Sequence, residues 1–465
     1  MPRRALRELL ELAAVDPAEG EVAFAGSDPV FPTPYRVATA GAASLGAVGV
    51  AASAIWMLRG GRRQDIGVGL RAAAAAMRSN RYLRIDGKPP AGPWDPLSGF
   101  YPVREGRWVN LHCNFPQHRA AAMSVLGCNA AREAAERASR GWDGAALEDA
   151  VHAAGGCAGL ARSAAEWALH PHAASVAAQP LLELRRIGEA PPEPLGEAPR
   201  PLSGVRVLDL TRVLAGPTCA RTLAEHGADA LKVSAAHLAD SGAMETDTGL
   251  GKLSARIDLR AAAGVDALRT LLAGADVFSQ SYRPGALAAR GFSAQDAARL
   301  RPGIVYVTLS AWGGAGPWRA RRGFDSIVQT VSGMALAQGD GDKPKLMPVS
   351  AIDYVSGYLM AFGAMVALAR RAREGGSWEV RVSLARTGRW IVERGLEPGW
   401  RGAPAELPAP ELAGLMAETS SPLGRIGHLG PVLRLSETAP RWTRPPVPLG
   451  THPAEWPTRS SPPSA

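Results

Sequence analysis

Asp353 is the residue whose surroundings most clearly set it apart for chemistry. It is the lone acid between Asp342 and Glu374, in the apolar, small-residue stretch AIDYVSGYLMAFGAMVALA. The stretch predicts a helix that begins near this residue, and a carboxylate at a helix start lies beside free backbone N–H groups. We therefore expect the Asp353 anion to be stabilised and directed outward. Taken alone, the pattern favours an ordinary helix N-cap.

Other patterns of catalytic or phosphate-binding residues are missing from the sequence. No GxGxxG follows the apolar run VRVLDL, no GxxxxGK[ST] occurs, and no HExxH or cluster of His and Cys is present. VRVLDL is followed by TRVLAGPTCA, where Gly216 and Pro217 open a helix whose N-terminus can receive a phosphate or a carboxylate. The four cysteines form no CxxC pair, so we expect no disulfide framework, no metal site and a reducing, cytoplasmic location.

The positive charge of the chain is spread along its length. Among 465 residues there are 52 Lys+Arg against 43 Asp+Glu, a formal net charge of +9, yet no run of five basic residues occurs. Proteins that bind nucleic acid cluster such residues, so we expect no nucleic-acid partner. The positive field would still attract an anionic ligand such as a nucleotide.

The segment from Val205 to Leu384 alternates between apolar runs and helical spacing. VRVLDL, ALKV, DVFSQS and IVYVTLSAWG predict buried strands with helices between them. This alternation predicts an α/β fold with a parallel sheet and right-handed crossovers. Residues 36–187 are less regular and include a hairpin-like GFYPVREGRWVNLHC.

Two apolar segments lie near the N-terminus. Met1 to Ala14 predicts a short amphipathic helix that carries acids and has no continuous apolar region, so it does not read as a secretory signal. Val37 to Leu58 is uncharged and long enough to span a bilayer, but it consists mostly of Ala, Gly, Ser and Thr, which contribute little to insertion. We expect a buried small-residue helix and no membrane partner.

Proline-rich stretches and an internal repeat organise the chain. We divide it into residues 1–187, a linker at 188–202, a large domain at 203–390 and a C-terminal segment at 391–465 whose tail from Thr438 is ordered only in part. Gly46 to Ala72 and Ala361 to Arg386 each contain a small-residue helix, a Gly-Gly turn and an alternating strand, at an offset of 315 residues. The similarity indicates a partial duplication, and the offset places Ala38 opposite Asp353.

Five stretches of the chain, in order, resemble the class III CoA-transferases. They cover about 190 residues and read PLSGVRVLDLTRVLAGPTCARTLAEHGADALKV, GKLSARIDL, SYRPGALAARGF, RPGIVYVTLSAWGGAGPWRARRGFDSIVQTVSGMA and PVSAIDYVSGYLMAFGAMVALARR. RRQDIGVGL, YPVREGRWVNL and PLGRIGHLGPVLRLSETAPRW also resemble elements of the family. The resemblance implies an α/β fold, with a Rossmann-like parallel-sheet large domain, a smaller α+β domain and an N-terminal partial duplication.

The resemblance implies transfer of CoA between an acyl-CoA donor and a carboxylic acid acceptor. Asp353 stands where the family has its nucleophile, which forms a mixed anhydride and then carries CoA as an aspartyl thioester. Asp325 matches an acid that lies near the nucleophile in some members; the alternative is a salt bridge to Arg321 or Arg322. Because the N-terminal copy has Ala38 in place of the acid, we expect one chemical site per chain.

For CoA the resemblance implies two loops that follow strand ends, where parallel sheets bind ligands. Tyr282 would stack on adenine or form the edge of the core, and Arg322 would meet a phosphate. The family's polar and basic contacts are thinned at Ser234, Ala236 and Gly249. The predicted CoA-binding residues are Val213, Leu214, Ala215, Ser281, Tyr282, Arg283 and Arg322.

Two other functions fit parts of the sequence. The thinned phosphate contacts suit a non-catalytic acyl-CoA-binding paralogue or partner subunit. A racemase of the same family needs a histidine where Phe324 stands, and phenylalanine moves no proton, so the sequence disfavours that activity. The resemblance also implies a CoA thioester as substrate, no permanently bound cofactor and an intertwined homodimer, although the unusual order of parts would let one chain close the ring on itself.

Overall fold

A seven-stranded sheet lies at the centre of the computed structural model, which describes residues 1–92, 94–341 and 343–458. The strands are β1 (Glu21–Ala25), β2 (Asp65–Gly69), β3 (Arg84–Ile85), β4 (Gly99–Pro102), β5 (Trp108–Leu111), β6 (Ala158–Leu160), β7 (Glu183–Gly188), β8 (Arg206–Asp209), β9 (Asp229–Ser234), β10 (Lys252–Arg256), β11 (Val277–Gln280), β12 (Val305–Ser310), β13 (Ser377–Ser383), β14 (Met416–Ser421), β15 (Gly424–Leu429) and β16 (Leu433–Leu435).

The helices connect and cover these strands. They are α1 (Pro2–Leu12), α2 (Val37–Leu58), α3 (Leu70–Ala76), α4 (Ser79–Tyr82), α5 (Pro116–Leu126), α6 (Arg132–Ser139), α7 (Gly144–Ala153), α8 (Ala164–Leu169), α9 (Pro171–Ala178), α10 (Ala215–Glu225), α11 (Ala243–Thr248), α12 (Ala262–Ala273), α13 (Ala294–Leu300), α14 (Asp325–Val331), α15 (Met334–Gln338), α16 (Ala351–Glu374), α17 (Leu384–Glu393) and α18 (Ala409–Ala413).

The central sheet has the order β10-β9-β8-β11-β12-β13-β7. The first six strands of this order are parallel. When these six are numbered 1 to 6 along the chain, from β8 to β13, their order across the sheet is 3-2-1-4-5-6. This is the doubly wound Rossmann order, so the α/β prediction is confirmed. The order reverses between β8 and β11, and a crevice for ligands opens at the carboxyl ends of strands at such a point.

The central sheet includes one strand from the N-terminal part of the chain. β7 pairs antiparallel with β13 and forms the edge of the sheet. Residues 1–187 therefore share the sheet with the predicted large domain. A separate antiparallel sheet, β4-β5-β6, packs with α5, α6 and α7 around its own apolar cluster, which includes Tyr101, Val109 and Leu147. The predicted hairpin over residues 99–113 is the β4–β5 pair.

The two long apolar helices, α2 and α16, pack along each other in the largest core cluster. Each is followed by a Gly-Gly turn, a strand and a further helix, α2–β2–α3 and α16–β13–α17. The pattern that suggested an internal repeat thus recurs in the fold. Both helices are long and apolar enough to cross a membrane by composition, and both lie buried within the protein.

The predicted linker and tail pack against the protein where the structure describes them. The Arg59 guanidinium donates to the carbonyl oxygens of Gly196, Pro201 and Ser203 at 2.6, 2.7 and 2.7 Å, which fixes the proline-rich stretch along the N-terminal part. In the tail, the Trp456 indole donates to the Leu271 carbonyl at 2.8 Å. The rest of the tail, residues 459–465, lies outside the described residues.

Candidate active site

The carboxyl group of Asp353 lies in the first turn of α16, where a second acid caps the helix. Ser350, at the N-cap position, makes no hydrogen bond through its side chain. The backbone N–H groups of Asp353 and Ile352 donate to the carboxylate of Asp325, the first residue of α14, at 3.1 Å for the Asp353 N–H. The N-terminal N–H groups of α16 are therefore occupied by Asp325, and Asp353 is free to face a ligand.

Gln329 fixes Asp325 in this role. The Gln329 side-chain oxygen accepts the backbone N–H of Met347 at 2.8 Å, so the amide nitrogen of Gln329 faces Asp325 and donates to it. The alternative interpretation of Asp325, a salt bridge to Arg321 or Arg322, does not occur. Arg321 pairs with Asp149, and Asp325 is committed to helix α16.

Burial makes both carboxyl groups difficult to ionise. It raises the pKa of Asp353 well above the ordinary value, and the neighbouring Asp325 raises it further. Burial also raises the pKa of Asp325, although the hydrogen bonds from Gln329 and α16 oppose this shift. The expectation that the helix start stabilises the Asp353 anion is therefore wrong, because Asp325 takes the N–H groups and adds negative charge.

All seven predicted CoA-binding residues line one cavity with Asp353. This cavity has a volume of about 280 Å³ and lies at the carboxyl ends of β8 and β11, where the strand order reverses. Its lining includes five arginines, two of them among the seven predicted residues, and we call it the arginine cavity. Tyr282 lines the cavity and packs against the core cluster of the adjacent sheet face. The arginines are Arg212, Arg283, Arg319, Arg321 and Arg322.

Arg283 and Arg322 carry positive charge that the described residues leave unpaired. Neither side chain forms a hydrogen bond or an ion pair in the described part of the chain. Partial burial lowers the pKa of Arg322, and repulsion from Arg283 lowers it further. Two adjacent cations without acidic partners provide a place for an anionic group such as a phosphate.

Val213, which borders the arginine cavity, has a strained backbone. Its φ angle is +70°, a left-handed value that a β-branched residue rarely adopts and that costs about 1–3 kcal/mol. Buried bonds fix the preceding loop: the Thr211 N–H donates to Asp209 at 2.9 Å, and Lys252 donates to Asp209 at 2.8 Å. Lys232 binds the Thr211 carbonyl. The lysines of the two strands thus support the loop from inside the protein.

A second cavity, of about 1490 Å³, meets the arginine cavity at Asp353. We call it the large cavity. Its lining comes from both parts of the chain, from Arg78 and Arg81 near the N-terminus to Asp325 and Lys345 in the predicted large domain. The residues that border both cavities are Phe115, Val213, Leu214, Phe324 and Asp353. Asp353 is therefore the acid that is accessible from either side.

Aromatic and histidine residues form the wall between the cavities. The Phe324 ring stacks on the His112 ring, with centroids 3.8 Å apart and planes 6° apart. Phe115 and His118 pack around this pair. Burial lowers the pKa of His112 to about 3 and that of His118 to about 4, so both are neutral at pH 7.

His112, Phe115 and His118 were not among the residues predicted for the site from the sequence. No local pattern marks them, because they join the site only through the packing of β5 and α5 against the large domain. Within the described residues, no group of three or more His, Cys, Asp or Glu side chains is arranged to hold a metal ion.

Comparison with known proteins shows the family of this chain. The sequence profile of CoA-transferase family III matches residues 18–192 and again residues 202–410. The acyl-CoA transferase of Gibberella moniliformis is 28% identical over 93% of this chain and 90% of its own length.

Other relatives match only part of their length. The acetyl-coenzyme A transferase nodX of Hypoxylon pulicicidum is 34% identical over 42% of this chain, and the succinyl-CoA:glutarate CoA-transferase of Mus musculus is 33% identical over 38% of it. The chain spans 34% and 43% of these two relatives. The two profile matches together cover most of the sequence, and the chain belongs to CoA-transferase family III.

Proposed function

We propose that the chain transfers coenzyme A from an acyl-CoA to a carboxylic acid, and that Asp353 carries CoA as an aspartyl thioester between the two. The position of Asp353 is the observation that supports this function. A buried carboxyl group stands where an arginine-lined cavity meets a large cavity, so one side can hold the CoA phosphates while the other holds an acyl group.

The transfer consists of four acyl exchanges that balance without a redox partner. A carboxylate oxygen of Asp353 attacks the thioester carbon, the C–S bond breaks, and CoA leaves as a thiolate while the acyl group stays on Asp353 as a mixed anhydride. The thiolate attacks the aspartyl carbon of the anhydride, which releases the donor acid and leaves an aspartyl-CoA thioester. The acceptor carboxylate attacks the aspartyl carbon of this thioester, which releases CoA thiolate and forms a second mixed anhydride. The thiolate then attacks the acceptor's carbonyl carbon in this anhydride, which forms the new acyl-CoA and breaks the bond to the Asp353 oxygen. Asp353 is regenerated as the carboxylate.

Other residues near Asp353 would bind CoA, position the Asp353 side chain and limit the access of water. Arg283 and Arg322 would hold the anionic end of CoA in the arginine cavity. Asp325 keeps α16 capped, so the Asp353 side chain does not fold back onto its own helix. The His112–Phe324 stack forms part of the wall between the two cavities and would limit the access of water to an anhydride on Asp353.

Covalent trapping tests the proposal. The full chain is mixed with acyl-CoAs, quenched with hydroxylamine or borohydride, and its peptides are analysed by mass. We expect modification of the peptide that contains Asp353 in the wild type and its loss in Asp353→Asn, with turnover reduced by about 10³-fold or more. Asp240→Asn is a matched control, because Asp240 is an exposed acid that lines the large cavity, and this variant should be labelled like the wild type.

The alternatives give different results in the same experiment. CoA binding with no modification by any donor supports the non-catalytic binding subunit. Exchange of the α-proton in deuterated water without CoA transfer supports a racemase. A modification that persists in Asp353→Asn means that another residue is the nucleophile.

A further inference from the structure

Arg81 lies on a short segment that is tied directly to the start of α16. The Ser350 N–H donates to the Met77 carbonyl at 3.0 Å, immediately before α16 begins. The hydroxyl of Tyr354, the residue after Asp353, lies 3.0 Å from the hydroxyl of Ser79. These contacts join residues 77–79 to the first turn of α16 on either side of Asp353.

The same clamp continues to the residue beside Arg81. The Tyr354 hydroxyl lies 3.3 Å from the side-chain oxygen of Asn80 and 3.4 Å from its backbone nitrogen. Ser79 also donates to the buried Asp247 at 2.7 Å. Because its two preceding residues are fixed to Tyr354, Arg81 has a defined position relative to Asp353, and its side chain lines the large cavity.

The Arg81 guanidinium has no direct partner in the described residues. Its side chain forms no hydrogen bond or ion pair there, whereas the neighbouring Arg78 binds Glu406 and the Ala405 carbonyl and stacks on Phe31. Arg81 is exposed at the wall of the large cavity, where partial desolvation and repulsion from Arg78 lower its pKa and attraction to Glu406 opposes the shift. A cation that lines a cavity and has no bonded anion is suited to bind an anionic group of a ligand.

Arg81 also stands apart from the reacting carboxyl group. Its side chain forms no hydrogen bond or ion pair with Asp325 or Asp353 in the described residues, and its charge lowers the pKa of Asp325 without a direct bond. A carboxylate that Arg81 binds is therefore distinct from a carboxylate that attacks the aspartyl thioester. A molecule that occupies both positions needs two carboxylates.

We propose that Arg81 binds the far carboxylate of a dicarboxylic acid while the near carboxylate reacts at Asp353. This inference rests on the proposed function and specifies its substrate class. A planar guanidinium forms a bidentate pair with a carboxylate, which would orient the acid as well as hold it. Arg81 is then a specificity-determining residue at the wall of the large cavity.

The inference is tested by the exchange of a labelled acid into its own CoA ester. Because the donor and the acceptor then have the same acyl group, no separate acyl-CoA donor has to be chosen. Labelled succinate with succinyl-CoA and labelled glutarate with glutaryl-CoA are compared with labelled butyrate and butyryl-CoA. We expect the wild type to exchange a dicarboxylate better than butyrate. In Arg81→Gln the KM for the dicarboxylate should rise by about 10- to 100-fold, the scale of a lost charge-assisted pair, with little change in kcat or in butyrate exchange.

Two further variants make the result specific. Arg81→Lys keeps the charge but not the bidentate geometry, and should recover part of the dicarboxylate affinity. Arg104→Gln removes the same charge from an exposed arginine outside the lining of the large cavity, and should behave like the wild type.

The possible failures are distinguishable. If Arg81→Gln lowers butyrate and dicarboxylate exchange equally, or shifts only the pH profile, Arg81 is a counter-charge for Asp325 and the inference is overturned. If the wild type exchanges butyrate but neither dicarboxylate, the inference fails while the proposed function stands. If no acid exchanges and Asp353 is never modified, both fail.

Discussion

At the scale of single residues, the site depends on a division of roles between two carboxyl groups. Asp325 accepts the N–H groups that cap α16, and Asp353 is left facing the cavities. Burial and the proximity of Asp325 raise the pKa of Asp353. In the proposed role as nucleophile, Asp353 must be ionised to attack. A raised pKa makes the carboxylate a stronger nucleophile, and it also lowers the fraction of Asp353 that is ionised at a given pH.

We predict that kcat/KM for CoA transfer rises with pH on its acidic limb, with a midpoint well above the ordinary aspartate value of about 4. The direction follows from the raised pKa, because Asp353 gains its negative charge only as the pH rises through it. Asp325→Asn removes the adjacent negative charge and should move the midpoint to lower pH. Steady-state rates between pH 4 and 9 measure both effects.

Asp325→Asn is informative because asparagine still offers an oxygen to the helix N–H groups. The acidic limb of the pH profile reports the titration of Asp353 and Asp325 together. Its midpoint is therefore compared between the wild type and Asp325→Asn without being assigned to either acid. An unchanged midpoint in Asp325→Asn would show that Asp325 does not set the ionisation of Asp353.

Part of this site could be predicted from the sequence. Asp353, Asp325 and the cavity residues from Val213 to Arg322 lie in short motifs that stay local after folding, and the structure brings them together. Their roles remain predictions. His112 and Arg81 could not be found in this way, because they come from the N-terminal part and meet α16 and Phe324 only through long-range packing.

At the scale of elements, the site depends on how closely α10 and α16 cross. Gly357 lies one turn after Asp353, and a Cβ at this position would lie 2.5 Å from the Ala215 carbonyl oxygen at the start of α10. Ala215 and the strained Val213 line the arginine cavity. The missing side chain of Gly357 therefore sets the spacing between Asp353 and the predicted CoA loop.

We predict that Gly357→Ala destabilises the protein by about 1–3 kcal/mol and lowers kcat/KM, since the clash is with backbone and the helices must separate. Gly388→Ala, in α17, is the matched control because its added methyl would meet the flexible side-chain ends of Ile352 and Val328 at 3.2 Å. Thermal unfolding and CoA-transfer rates measure the difference. Equal behaviour of the two variants would mean that the α10–α16 spacing does not matter.

Secondary structure was most predictable where burial is strongest. The apolar runs in residues 205–313 form strands β8, β9, β11 and β12 as expected, and Val37–Leu58 is one buried helix. β7 was not predicted, because an edge strand with one partner carries the polar sequence ELRRIG and gives little apolar signal. The proline content of residues 188–202 predicted a linker, but it could not show that Arg59 would bind two carbonyls of this stretch and that of the adjoining Ser203.

At the scale of the whole molecule, the two segments that match the family profile meet along α2 and α16. Their N-termini are capped alike. The Asp28 carboxylate accepts the N–H groups of Ala38 and Thr39 at 2.9 Å each, as Asp325 accepts that of Asp353. Ala38 is the residue that the 315-residue offset matches to Asp353, so the first copy keeps the capped helix and lacks the acid.

We predict that residues 203–465 do not fold without the N-terminal part. This piece lacks β7 at the sheet edge and exposes the face of α16 that α2 covers. Soluble yield should fall by about tenfold or more, as expected when several kcal/mol of packing are lost. Co-expression of residues 1–192 should restore it. A soluble piece that is still modified at Asp353 would contradict the prediction.

The tandem arrangement also has a consequence for inheritance. When two identical subunits build a symmetric enzyme, each mutation appears twice and must be tolerated in both positions. In this chain the α2 and α16 regions are encoded by separate stretches of one gene, so a substitution in one copy is tested once. The N-terminal segment is free to change at residues such as Arg81 and His112, which border the large cavity, while its own position 38 needs only to fit the helix.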